Sequence, residues 1–310
     1  MEDFAGKVAV ITGAGSGMGR AYAHRFGREG MQLVLGDVEL AALDQVKAEL
    51  EAEGRQVVTV PTDVSDPKAV ENLRDRALEA FGTVHLVINN AGVEGYLDGR
   101  IWEASEKDWD WTLGVDLWGV IHGVRLFLPI LVAQDEGYMV NTSSMTGVVR
   151  ASNMYAIAKH GVRALSETIY GDLKAAGSKV GVSVLCPGII ATRLFLGSRN
   201  RPERLRNEAP APDGGRGQAM REQMHERLSQ GMPPEEVADI LVQAIREERF
   251  YVLTDHEWDD RIKAWEDDIM ARRNPEVPSM SPGAASPGAR SPGAGGVGAR
   301  GAQASGAGQR

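Results

Sequence analysis

Seven short apolar runs punctuate this chain, and the first five are each followed by a stretch with helical spacing. They are "KVAVITG", "MQLVLGD", "QVVTVPTD", "VHLVINNAG", "GYMVNTSS", "VGVSVLCPG" and "FYVL" at 250–253. The intervening segments predict helices over Met18–Gly30, Glu39–Glu53, about Pro67–Phe81, about Glu106–Ala133 and Met154–Ala176. Continuous β-branched runs alternating with amphipathic helices build βαβ units, hence a parallel sheet covered on both faces. Right-handed crossovers make the fold a doubly wound α/β sheet of about seven strands, Rossmann-like, with ligands at the carboxyl ends of its strands. Only between Thr192 and Pro233 does the alternation fail, in a segment rich in Arg and Glu. Its place after the sixth strand, on the ligand side, reads as a lid over about 193–233.

The chain is expected to be one domain over 1–273. Of the last thirty residues, 24 are Gly, Ala, Ser or Pro, so 274–310 is expected to be a disordered tail with too little apolar side chain to offset ordering. A net charge of −9 argues against nucleic acid, which needs basic patches. The amino terminus "MEDF" carries no basic leader, and no apolar run reads as a membrane span, so a soluble cytoplasmic protein is expected. One cysteine, Cys186, supplies neither an internal disulfide nor a zinc cluster, and the six histidines lack zinc spacing, so no metal is expected. Trp102, Trp109, Trp111 and Trp118 read as core or subunit contacts rather than substrate platforms, and "DHEWDDRIKAWEDD" at 255–268 as a solvated helix face.

Two places carry chemistry. The first is the turn "TGAGSGMG", in which Gly13, Gly17 and Gly19 stand between a strand and a helix. Glycines there let the backbone approach a pyrophosphate, and the helix amino end offers free N–H groups and partial positive charge to it. The second strand ends in Asp37, where a carboxylate accepts from both hydroxyls of an adenosine ribose and repels a 2′-phosphate. Neither Ser16 nor Val38 supplies a cation for that phosphate, which favours NAD over NADP. The second place is "YAIAK". Tyr155 and Lys159 stand at i and i+4 of a predicted helix and so share one face.

These pieces, in order, resemble the short-chain dehydrogenases/reductases over about Lys7 to Leu253: "TGAGSGMG" with Ser16 and Met18, "DV" at Asp63 and Val64, "NNAG" at 89–92, Ser144, "YAIAK", and "PGIIAT" from Pro187 and Gly188 to Thr192. The resemblance implies that Asp63 and Val64 contact the adenine and that the backbone of Asn90, Ala91 and Gly92 lines the cofactor cleft. It implies that Ile190 and Thr192 hold the nicotinamide amide. Tyr155 would be the general acid/base, Lys159 would stabilise its phenolate and bond the nicotinamide ribose, and Ser144 would bond the substrate oxygen, with Ser143 structural. The family usually has Asn where this chain has Asp116, a position that supports the proton relay behind the lysine. Aspartate keeps an acceptor, loses the amide donor, and is placed to pair with Lys159.

The expected activity is NAD-dependent interconversion of a hydrophobic secondary alcohol and its ketone. Its pocket would be built from Tyr96, Met145, Val148, Val149, Leu194, Phe195 and Leu196, and the protein would be a homotetramer or homodimer formed through the two long helices. The alternatives are an NADP-linked ketone reductase, or a cofactor-binding regulator with weak catalysis, which only Asp116 favours.

Overall fold

In a computed structural model of the chain, residues 1–208 and 215–275 are described. Seven parallel strands form one sheet in the order β3-β2-β1-β4-β5-β6-β7. They are β1 Val8–Thr12, β2 Gln32–Asp37, β3 Val57–Pro61, β4 Leu86–Asn89, β5 Tyr138–Thr142, β6 Gly181–Cys186 and β7 Tyr251–Leu253. The order reverses direction at β1, where β4 returns to its other side, and the crevice opens above that switch point.

The central strands read as unbroken apolar runs because both sheet faces are covered. Along β1 the side chains alternate between two cores: Ala9 and Ile11 join one, Val8 and Val10 the other. The first core packs beneath α1 (Gly17–Arg28), α2 (Leu40–Ala52) and α8 (Pro234–Arg246), with Tyr22, Phe26, Leu50 and Leu241 fully buried. The second packs beneath α3 (Pro67–Phe81), α5 (Gly119–Ala133) and α6 (Met154–Ala175), with Leu73, Phe127 and Leu131 buried. Each such side chain contributes roughly 1.5–3 kcal/mol on burial.

Local chemistry sets the helix ends. Asp66 caps α3 by accepting from Lys68 N at 2.9 Å, Pro67 fills its first turn, and Gly82 ends it at φ +75°. The predicted long helix runs unbroken from Glu106 to Ala133, as α4 (Glu106–Leu113), one π-helical turn over Gly114–Trp118, and α5. Its most apolar window has mean hydropathy 1.6, enough by length and composition to cross a membrane, unlike the sequence expectation. The apolarity of α5 is used here to cover the sheet.

The lid region is less irregular than its sequence suggests. Two 3-10 turns, Leu194–Asn200 and Glu203–Leu205, lead to α7 (Arg216–Ser229), and the chain continues through α8 and β7 to α9 (Asp259–Met270). Met232 and Ile190 form a short parallel bridge that closes the segment's base. Most of "EAPAPDGGRG" and all but the first two residues of the expected tail lie outside the described residues.

Candidate functional site

A cleft of about 420 Å³ runs along the carboxyl ends of the strands. Of the catalytic and cofactor-binding residues singled out from the sequence, Gly19 and Asp116 are the two that do not line it. At one end lies the glycine turn. Gly13 and Gly17 adopt left-handed φ of +66° and +51°, where side chains are rarely tolerated. A Cβ on Gly19 would stand 2.1 Å from the Gly13 carbonyl oxygen, so this glycine acts one layer behind the cleft by letting the turn close.

Asn90 fastens the turn to the end of β4. Its N–H donates to Thr12 Oγ1 at 2.9 Å and its side-chain amide to Thr12 O at 3.0 Å. Ser16 stands at the N-cap of α1 without a side-chain cap bond, so the hydroxyl does not occupy the first-turn N–H groups. Asp37 accepts from Gly15 N at 2.8 Å through Oδ2 and from Glu39 N at 2.9 Å through Oδ1, which aims a carboxylate along the turn. Asp63 lines the cleft while its Oδ1 accepts from Ser65 N and Oγ at 3.0 and 2.6 Å. Left-handed glycines, an uncapped helix start and a carboxylate one strand away together fit a dinucleotide.

At the middle of the cleft α6 delivers the polar group expected of "YAIAK". Asn153 caps the helix by accepting from Ala156 N at 2.8 Å, which sets Tyr155 in its first turn. Lys159 Nζ lies 5.3 Å from the centre of the Tyr155 ring and donates to Thr142 O at 3.2 Å. Ser144 acts on the Tyr155 phenol, pulling its pKa down, and its Oγ accepts from Thr146 N at 3.2 Å. Ser143 instead donates to Lys159 O at 2.7 Å, tying the end of β5 to α6. Its structural role follows from that bond.

Asp116, on the π-helical turn, is fully buried behind the lysine. Its Oδ1 accepts from Val93 N at 3.1 Å and stands 3.3 Å from Lys159 Nζ, while Oδ2 has no partner. Burial pushes its carboxyl up to about 6, although Lys159 pulls it down. Burial works against the charge of Lys159 too, but the attraction of Asp116 and Tyr155 outweighs it and holds the ammonium above its ordinary value.

Lys159 acts on the phenol in the expected direction, but burial outweighs it. Burial pushes Tyr155 above its ordinary value; Lys159 and the Ser144 bond pull it back, and Asp116 pushes the same way as burial. The cation offsets desolvation without reversing it. Without that cation the phenol would lie higher still.

Beyond this group the cleft is lined by apolar side chains together with Thr146, Ser152, Asn153 and Arg227, in a set that differs from the sequence expectation. Met145, Leu194 and Phe195 line it. Val148, Val149 and Tyr96 are buried outside its lining, and Leu196 turns to solvent. Trp111 and Val115 of the long helix, Met224 and Leu228 of α7, and Trp258 complete the wall. Trp111 therefore faces the cleft, whereas Trp102 and Trp118 are exposed, so the tryptophans do not form one core group. Trp258 and Arg261 also line the cleft, so the acidic carboxyl-terminal segment is not simply a solvated face.

No local motif marks these residues, because α7 and α9 reach the cleft only through the fold. Carboxylates fasten the segment that follows β6. Buried Glu94 accepts from Ser198 N at 3.0 Å, and Asp108, 2% exposed, pairs with Arg201 at 2.7 Å. Arg201 in turn lies 5.1 Å from the Trp111 ring centre.

Comparison with known proteins matches this architecture. Residues 7–202 fit the family model described as short chain dehydrogenase. A short chain dehydrogenase/reductase from Burkholderia phymatum, solved in complex with NAD, is 44% identical. It superposes with a TM-score of 0.85 over 90% of this chain and 99% of its own. Similarity extends to the 1-deoxy-11-beta-hydroxypentalenate dehydrogenase of Streptomyces exfoliatus, 33% identical over 89% of this chain and 92% of that protein. The CLA biosynthesis dehydrogenase/reductase of Lactiplantibacillus plantarum is 30% identical over 85% of this chain and 94% of its own length.

Proposed function

The chain belongs to the short-chain dehydrogenase/reductase family, oxidoreductases acting on CH–OH groups, and from that premise we propose that it interconverts a hydrophobic secondary alcohol and its ketone with NAD. The observation that carries this reading is the meeting, in one cleft, of a phenol backed by a buried ammonium with a glycine turn, Asp37 and the apolar side chains of Trp111, Phe195, Leu228 and Trp258. A nicotinamide dinucleotide bound along the cleft supplies the two-electron chemistry.

The chain's own residues supply the proton chemistry. In the oxidative direction the Tyr155 oxygen takes the hydroxyl proton; in the reductive direction it returns one to the carbonyl oxygen. Ser144 holds that substrate oxygen against the phenol and stabilises the charge that develops on it. Lys159 lowers the cost of the phenolate, and Asp116 keeps the lysine charged from behind. Trp111, Phe195, Leu228 and Trp258 exclude water and favour an apolar, ring-bearing substrate. Exposed Trp118 and Val132, with Ile157 and Tyr170 of α6, support assembly through the long helices.

Absorbance of the reduced nicotinamide, followed over cyclic and aryl secondary alcohols and small charged hydroxy acids, tests the substrate class. The apolar alcohols are expected to turn over and Tyr155→Phe to lose about 10²–10⁴ in rate while still binding NAD. Turnover of charged hydroxy acids alone would refute the substrate class. An unimpaired Tyr155→Phe would refute the mechanism.

A further inference from the structure

At the dinucleotide end of the cleft, the sequence offers no cation beside Asp37. The structure brings two. Arg193 and Arg199, from the segment following β6, line the same cleft as Asp37, Val38 and Glu39. Neither guanidinium is idle. Arg199 donates to Glu39 Oε1, Asn200 Nδ2 donates to the same oxygen at 2.8 Å, and Arg193 Nη2 stands 3.8 Å from Oε2.

Glu39 is itself tied to the position that reads the ribose, because its N–H donates to Asp37 Oδ1 at 2.9 Å. Against the burial that pushes it up, bonds from Asn200 and Arg199 hold its carboxyl below the usual range, so it is ionised at neutral pH. Both guanidiniums are therefore engaged by the one carboxylate of Glu39, beside Asp37.

We propose that Glu39 is a specificity-determining residue: by engaging Arg193 and Arg199 it denies their positive charge to a dinucleotide 2′-phosphate. The inference rests on the reading of the cleft as a nicotinamide dinucleotide site. Discrimination is then shared between Asp37, which repels the phosphate, and Glu39, which occupies the cations that would attract it. A bidentate guanidinium is the side chain best matched to a phosphate, so leaving these two arginines unpaired would change the preference. The Glu94–Ser198 and Asp108–Arg201 contacts are independent of Glu39 and keep the lid in place when Glu39 is changed.

The test is a binding measurement. Trp111 and Trp258 line the cleft, so their fluorescence reports NAD⁺ and NADP⁺ titrations without turnover. Glu39→Gln is expected to raise NADP⁺ affinity relative to NAD⁺ by about tenfold or more, since one negative charge is removed from the cleft and two guanidiniums are released there. Adding Arg193→Gln and Arg199→Gln to it should return the ratio towards the wild-type value. An unchanged ratio in Glu39→Gln overturns the inference, as does a raised ratio that survives loss of both arginines.

Should Glu39→Gln fail to fold, Arg193→Gln with Arg199→Gln in the wild-type background leaves Asp37 and Glu39 unopposed. It must then lower the NADP⁺/NAD⁺ affinity ratio, and an unchanged or raised ratio overturns the inference. Wild-type protein that binds neither dinucleotide would sink the cofactor reading itself. Wild-type protein that binds NAD⁺ while the ratio ignores Glu39 sinks only this inference.

Discussion

Substituting alanine at two glycines should have opposite effects, and the difference can be worked from their surroundings. A Cβ on Gly19 would lie 2.1 Å from Gly13 O, 2.7 Å from Gly13 C and 2.9 Å from Asn90 Nδ2. Only the last of these atoms belongs to a side chain. Two are backbone of the turn, and the third is held by its 3.0 Å bond to Thr12 O. Ordinary carbon contacts begin near 3.5 Å, so the turn must move by roughly 1 Å or more. Overpacking of this kind costs about 1–3 kcal/mol, and a chain of this size loses about 2–4 °C in Tm per kcal/mol.

Gly171, exposed inside α6, is the control: a Cβ there would meet nothing within 4 Å. Alanine removes the entropy penalty of a helical glycine and should stabilise by about 0.5–1 kcal/mol. Calorimetry and an NAD⁺ fluorescence titration on both variants provide the assay. Gly19→Ala should melt lower by about 2–12 °C and bind NAD⁺ at least about tenfold more weakly, since the displaced peptide belongs to the cradle. Gly171→Ala should melt about 1–4 °C higher with binding unchanged. If Gly19→Ala melts with the wild type and binds NAD⁺ as tightly, the close packing assigned to the turn is refuted.

Asp116→Asn bears on pH. The folded Asp116 carboxyl titrates near 6, above an ordinary aspartate, so the folded state binds the proton more tightly than the unfolded state. That contribution is present in full below about pH 4 and is lost as pH rises through about 6. Urea melts between those limits should show wild-type stability falling with pH relative to Asp116→Asn; parallel curves would count against the assignment. The same variant should lose any kinetic inflection near pH 6 that the wild type shows. Ser144→Ala removes a bond that lowers the Tyr155 pKa, so the midpoint for alcohol oxidation should move to higher pH. Its kcat should fall by about 10²–10³, and an unshifted midpoint would argue that Ser144 does not act on the phenol.

The elements legible in the sequence are those written in short-range geometry. The helix expected over about Pro67–Phe81 is α3, and Asp66, Pro67 and Gly82 mark its two ends by local chemistry. The unbroken apolar runs announce a parallel sheet because burial on both faces leaves no position for a polar alternation. Tyr155 and Lys159 could be paired because four residues make one helical turn. Asp37 could be placed because a strand end has a fixed relation to the turn beside it.

Tertiary packing decided the rest. Arg199 meets Glu39 across 160 positions, and Asp108 meets Arg201 across 93. Trp111 and Trp258 share one wall although no local pattern relates α4 to the segment before α9. The protonation of Tyr155 was equally out of reach. A sequence shows that a cation stands one turn away, but the balance between that cation, the carboxylate of Asp116 and loss of water depends on how closely the surrounding elements enclose all three. Periodicity acts along a backbone and is recorded residue by residue. Enclosure and charge pairing act through space, and exist only once the strands, the long helix and the segment after β6 have packed together.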